Sequence, residues 1–272
     1  MYFGKNLVFF FETLLKCLSL LNASRKSQSK ILLCGSSHAY SSFMPQMASG
    51  IHSVTFASQD LYAAEELLKF YHKVHKIEHF VIFLSVFSSG FQLQKSKEYS
   101  RIYALRFALR INTLSRTIVF ILLQICYNII KIIHKNLITR YRISRHMYYK
   151  KNSVQNPESR ISRHIHYGKM RDSMVYLNNI INHCEAQKIR LSFVLSPASR
   201  SYREQCEKHI TPFGYLDELS LFSTDIEIID LFNTDRFDRG DWEDSDHLHV
   251  GGTTAAQVTR EILERINRQI II

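Results

Sequence analysis

The chain predicts a three-layer α/β/α domain on a central, mostly parallel five-stranded sheet, with a helical insertion. Three observations predict it. Short apolar runs of strand length recur at Ile31–Leu33, Val54–Ala57, His79–Ser85, Arg190–Leu195 and Glu227–Leu231. Helical periodicity separates most of them, and strands alternating with helices imply a parallel sheet covered on both faces. The 272 residues, 46% hydrophobic and 22% charged, can bury a full core, and glycine (9) and proline (4) are scarce enough to argue against long linkers.

Residues 1–30 read as an N-terminal amphipathic helix and linker. Leu7–Leu21 is rich in Phe and Leu, but Glu12 and Lys16 interrupt it. A helix lying on a membrane or packing on the domain fits better than a signal anchor, and Ala23–Lys30 is polar. Ile31–Leu33 is then a short buried strand ending at a Gly35 turn. Val54–Ala57 leads into a helix on which Leu61, Ala64, Leu67, Leu68 and Tyr71 recur at helical spacing. His79–Ser85 is apolar throughout, as a central parallel strand should be.

Residues 98–151 form a basic helical insertion, without Gly or Pro from Glu98 to Tyr149. Within it Ile118–Ile133 contains Gln124, Asn128 and Lys131, short and polar for a membrane span. It suits an interfacial helix or a core helix. The main domain, 31–97, resumes over 152–272. Asn152–Ser159, with Asn156-Pro157, reads as a loop. Met170–Gln187 is an amphipathic helix with Met174, Leu177, Ile180, Ile181 and Cys184 on one stripe. Arg190–Leu195 ends at Ser196-Pro197, and Thr253–Arg268 closes the domain as a helix.

The net charge of +11 lies largely between Arg101 and Arg171, where almost no acid opposes the lysines and arginines. Such a face is either simply solvated or attracts polyanions, whether nucleic acid, acidic polysaccharide or anionic lipid. No zinc-finger, basic-zipper or RNA-binding pattern accompanies it, so nucleic acid is not expected as a partner. The cysteines at 17, 34, 126, 184 and 206 are single and odd in number, which reads as core thiols in a reducing compartment. Neither they nor Arg163-His164-Ile165-His166 has metal-site spacing, so no metal is expected.

Two segments at opposite ends carry the chemistry. Cys34-Gly35-Ser36-Ser37-His38 follows the first strand, and Asp244-Ser245-Asp246-His247-Leu248 precedes the last helix. A serine needs a base for its proton and an imidazole needs a carboxylate to hold its tautomer, and the two segments supply all three groups. Both fall where a parallel sheet forms its site, beyond the carboxyl ends of strands. By itself a serine at such a turn reads as a helix cap. His38 either touches substrate or is structural, and His249 reads as local packing. Arg200 and Arg203, after the fourth strand, either grip an anionic group or lie on a plain surface helix.

Gly35-Ser36-Ser37-His38 resembles the first block of the SGNH (GDSL-type) hydrolase superfamily, with Ser36 where the usual aspartate stands. Asp244-x-x-His247, with Leu248 and Gly251-Gly252, resembles its last block, and Phe56–Tyr62 looks like its second. Leu195-Ser196-Pro197 with Ser201-Tyr202-Arg203, and Asp230-Leu231-Phe232 running to Arg236-Phe237, are similar to segments of bacterial SGNH-like proteins of surface-polysaccharide loci, relatives of the D-alanine-transfer proteins of teichoic acids. The likeness spans about 31–95 and 165–268.

The resemblance implies Ser37 as nucleophile, His247 as general base and Asp244 as its orienting carboxylate. Asp246 competes for the last role, and its position next to His247 argues for Asp244. The Ser37 backbone N–H would be one oxyanion donor. Ser58 or Gln59 stands near the place of the second-block glycine, and no asparagine follows Phe83-Leu84-Ser85. The implied activity is O-acyl transfer, chiefly O-acetylation of a bacterial cell-surface or capsular polysaccharide. It needs no bound cofactor, with acetyl-CoA as a possible acyl donor, and suits a peripheral place on the cytoplasmic side of an anionic membrane. A carbohydrate esterase or deacetylase is the alternative, and a catalytically silent assembly protein the second.

Overall fold

The sheet consists of β1 (Ile31–Gly35), β2 (Ile51–Thr55), β3 (His79–Leu84), β4 (Arg190–Leu195) and β5 (Glu227–Asp230), all parallel in the order β2-β1-β3-β4-β5. The computed structural model describes residues 2–24, 29–111, 118–119, 121–122, 157–219 and 226–268. The chain leaves β1 toward β2 on one side and returns to β3 on the other. The carboxyl ends of β1 and β3 at such a reversal are where ligands bind in doubly wound sheets.

Alternation along the strands assigns each residue to one of two cores. Leu32, Cys34, Phe80, Ile82, Phe193 and Leu195 face the larger core, with α1 (Tyr2–Ser24), α3 (Leu61–His75), α4 (Ser100–Arg110) and α6 (Met174–Gln187). Leu33, Val81, Phe83, Val194 and Ile229 face the other. There Ala39 of α2 (Ser37–Ser42) and Val258, Ile262 and Ile266 of α8 (Thr253–Arg268) cover them. This is the predicted three-layer α/β/α architecture.

Several element readings shift, among them the start of α6 at Met174 instead of Met170 and the end of β1 at Gly35 instead of Leu33. β2 begins at Ile51 and ends at Thr55, because Phe56 O accepts the Gln59 N–H at 3.2 Å and turns the chain toward the Asp60 cap of α3. Pro157 opens a helix, α5 (Pro157–Gly168), instead of lying in a loop, because a proline suits a first helical turn that needs no N–H. α4, counted above in a separate insertion, packs on α1, and its Ile102, Leu105 and Ala108 are buried in the main core. Apart from 111, 118–119 and 121–122, the rest of the insertion, including most of Ile118–Ile133, lies outside the described residues. So does most of the Asn152–Ser159 loop.

Two further elements complete the site end. One is α7 (Arg200–Glu207); the other is an antiparallel hairpin of β6 (Trp242–Asp244) and β7 (His247–Leu248). Among the described residues no helix is long and apolar enough to cross a membrane.

Candidate active site

The turn after β1 presents Ser37. A side chain at Gly35 would have no room: a Cβ there would meet Ala39 Cβ at 2.5 Å and Phe83 Cβ at 2.7 Å. Ser36 is the N-cap of α2, its hydroxyl accepting the His38 N–H, so Ser37 falls in the first helical turn and is half-buried. Gln59 fixes this turn from beneath. Its Oε1 accepts the Gly35 N–H and its Nε2 donates to Val54 O at 3.0 Å.

The β6–β7 hairpin presents the imidazole. His247 Nε2 stands 2.8 Å from Ser37 Oγ, across 210 positions of sequence. Its Nδ1 faces Asp246 Oδ1 at 3.0 Å. An ionised carboxylate only accepts, so Nδ1 carries the proton and Nε2 is left to accept from the serine hydroxyl.

The resemblance implies Asp244 as the orienting carboxylate, and the structure places that residue differently. Asp244 and His247 pair across the hairpin ends, and the Asp244 carboxylate bends back onto its own turn. Oδ1 accepts the Ser245 N–H at 2.8 Å and Oδ2 takes Arg160 Nη1. Asp246 sits inside the turn with its carboxylate buried, 2% exposed, and fills the position beside the imidazole.

Asp246 is a hub. Its Oδ2 accepts from His38 Nε2 at 2.8 Å, and its Oδ1 lies 3.2 Å from Arg160 Nη2. His38 Nδ1 in turn faces Ser36 Oγ and Ser85 Oγ, each at 3.1 Å. The carboxylate fixes His38 in the Nε2–H tautomer, which leaves the single Nδ1 lone pair to accept from one of these hydroxyls. Burial holds the His38 imidazole down at about 4, with neighbouring His247 adding to the effect and the bond to Asp246 opposing it. Burial opposes ionisation of Asp246, but its bonds from His247 and His38 hold it far below the usual carboxylate range.

Helix α5 supplies two groups from one face, at i and i+4. Arg160 Nη2 lies 2.7 Å from His247 Nδ1 and 3.3 Å from Nε2, distances to both nitrogens that place it over the ring rather than in its plane. His164 Nδ1 is 2.8 Å from the Tyr202 hydroxyl and 3.5 Å from Asp246 Oδ2, and burial pushes it down to about 3. The His38 ring stacks on that of His247 with centroids 4.4 Å apart.

Other expected residues do other work. His38 is 3% exposed and holds Asp246, so it lies behind the site rather than against a substrate. Gln59 spends its amide on the backbone. Ser58, at φ 60°, donates to Glu98 Oε2 at 3.1 Å. Arg203 is tied to Asp235 and Asp238, and Arg200 Nε lies 3.1 Å from Asp238 Oδ2, so both guanidinium groups pin α7 to the loop after β5.

His38, Asp246 and His247 bring three ligand-type atoms within 4.8 Å of one another. Two imidazoles and a carboxylate are metal-ligand groups, and in this structure they are turned to one another. These atoms are engaged with each other and with the Ser37 hydroxyl, and the Arg160 guanidinium already stands against the same Asp246 oxygen as the positive charge of the cluster.

Comparison of the chain with protein-family models, with curated proteins and with solved structures finds no match.

Proposed function

We propose that the protein is a serine-nucleophile acyltransferase, with Ser37, His247 and Asp246 as its triad. The observation that carries this reading is the unbroken line Ser37 Oγ–His247 Nε2, His247 Nδ1–Asp246 Oδ1, at 2.8 and 3.0 Å. A hydroxyl, an imidazole in the receptive tautomer and a buried carboxylate in that order are what nucleophilic acyl chemistry requires.

In the first half-reaction Ser37 Oγ attacks the acyl carbonyl carbon while His247 Nε2 takes the hydroxyl proton. The carbonyl oxygen becomes an oxyanion, facing the Ser37 N–H in the first turn of α2. Collapse re-forms the carbonyl and expels the leaving group, which takes the proton from Nε2. In the second half-reaction an acceptor hydroxyl gives its proton to Nε2 and attacks the acyl-serine, releasing Ser37. Arg160 with Asp244 and Asp246 leaves one net negative charge beside His247, and the transient imidazolium neutralises it.

The triad does not choose between acceptors. Support for O-acylation, chiefly O-acetylation, of a bacterial cell-surface or capsular polysaccharide comes from the resemblance of the blocks around Ser37 and Ser196–Arg203 and of His247 in the last block, whose carboxylate role passes here from Asp244 to Asp246. Acetyl-CoA is the simplest donor, and no resident cofactor enters the reaction. The deciding experiment supplies labelled acetyl-CoA with and without an isolated surface glycan and follows the label. Label on the sugar supports the transferase. Free acetate alone, whatever the acceptor, contradicts it and favours the esterase.

A further inference from the structure

Helix α4 has two unlike sides. Ile102, Leu105 and Ala108 are buried toward the core, whereas Tyr103 and Phe107, with Tyr99 at the N-cap four residues before Tyr103, are 58%, 47% and 43% exposed. The pattern recurs just beyond it. Ile118, Ile121 and Leu122 are helical and more than half exposed, while Val119 between them packs against the core. Large side chains in helical register on a protein surface mark a face that meets something apolar.

The charge along the chain from α4 onward points to what that is. From Arg101 to Arg171 there are fifteen lysines and arginines and one acid, Glu158. Arg101 and Arg106 turn to Glu98 and to Tyr62, whereas Arg110 is exposed beyond Phe107 on the same helix. A stretch of sequence that interleaves aromatic and aliphatic residues with basic ones has the composition of a segment that lies in the headgroup region of an anionic bilayer. A second copy of this chain would bring two strongly basic stretches together, which opposes self-association through the same face.

We infer that the exposed face of α4, Tyr99–Tyr103–Phe107, with Ile118, Ile121 and Leu122, docks the protein on an anionic lipid bilayer. The inference does not depend on the acyl-transfer reading, because none of these residues touches Ser37, His247 or Asp246.

The test uses the full chain and sedimentation with vesicles of phosphatidylcholine containing about one-third phosphatidylglycerol, against pure phosphatidylcholine, at low and high salt. Wild type is expected to sediment with the anionic vesicles at low salt and to be released by salt. The variant Tyr103→Ser with Phe107→Ser should lose at least about tenfold in partitioning, and Tyr103→Trp with Phe107→Trp should retain binding. Equal binding by wild type and the serine variant overturns the inference, as does failure of wild type to bind. A dimer that the serine variant dissociates would assign the face to a second copy. A fall of more than about 5 °C in that variant's unfolding midpoint would place the face inside the protein. Either result also overturns the inference.

Discussion

Asp246 accepts from His247 Nδ1 at 3.0 Å although the two are adjacent in sequence, and the carboxylate three residues before the imidazole is committed to Arg160. The functional reading therefore makes an asymmetric prediction about two aspartates. Asp246→Asn leaves the shape of the site but frees the wrong tautomer, and should lower the reactivity of Ser37 by roughly 10³–10⁴-fold. Asp244→Asn should cost less than about tenfold, because it loosens Arg160 without touching the proton on Nδ1. The rate of labelling by a fluorophosphonate separates the two.

His38 is a positioning residue in this account. It never meets substrate, yet it donates to the other oxygen of Asp246 and keeps that carboxylate aimed at His247. His38→Ala should slow labelling about 10–100-fold, as expected for a partner that orients a functional group. The apparent KM for a small acyl ester should stay unchanged while kcat falls. His38→Gln, whose amide can still donate to Asp246, should recover part of the loss. A change in KM alone would contradict the positioning role.

Gly35 is predicted to tolerate no side chain. Gly35→Ala would place its Cβ against Ala39 and Phe83, and both belong to the second core. Overpacking of this kind should destabilise the fold by about 1–3 kcal/mol and move Ser37 away from His247. Urea unfolding and the labelling rate should fall together.

Stability should decline as the pH falls from about 7 to 4. His38 and His79 are held down at about 4 and His164 at about 3, in each case chiefly by burial. In the unfolded chain each titrates near 6.5, so between those values the unfolded state binds protons that the folded state refuses. The stability these residues contribute is present above about 6.5 and is lost progressively below it. Asp246 does not cancel the trend, because its lowered value puts its own loss below the ordinary carboxylate range. Urea midpoints measured across this window should fall continuously, and a flat curve would contradict the buried neutral state of these rings.

Much of the architecture is legible in the sequence. Arg190–Leu195 and Thr253–Arg268 are read to the residue, because a Ser-Pro pair stops the first and Gly251-Gly252 precedes the second. The meeting of Ser37 with His247 follows from their segments lying beyond the sheet's carboxyl edge. The choice of carboxylate does not follow, because it depends on how a two-residue hairpin turn aims Asp246 while Asp244 caps that turn's amide. Arg160 and His164 are also hidden, since an i, i+4 pair on a basic helix looks like any solvated face. Only their fold-dependent approach to Asp246 distinguishes them. The ion pairs of Arg200 and Arg203 are hidden for the converse reason, as the acids that meet them, Asp235 and Asp238, come more than thirty residues later.

The most direct test of the central claim is to treat the folded protein with a fluorophosphonate and locate the adduct by peptide mass spectrometry. One adduct is expected, on Ser37, abolished in Ser37→Ala and slowed by roughly 10³-fold or more in His247→Ala. A folded wild-type protein that takes no adduct, or that carries it on another serine, would contradict the assignment of Ser37 as the nucleophile.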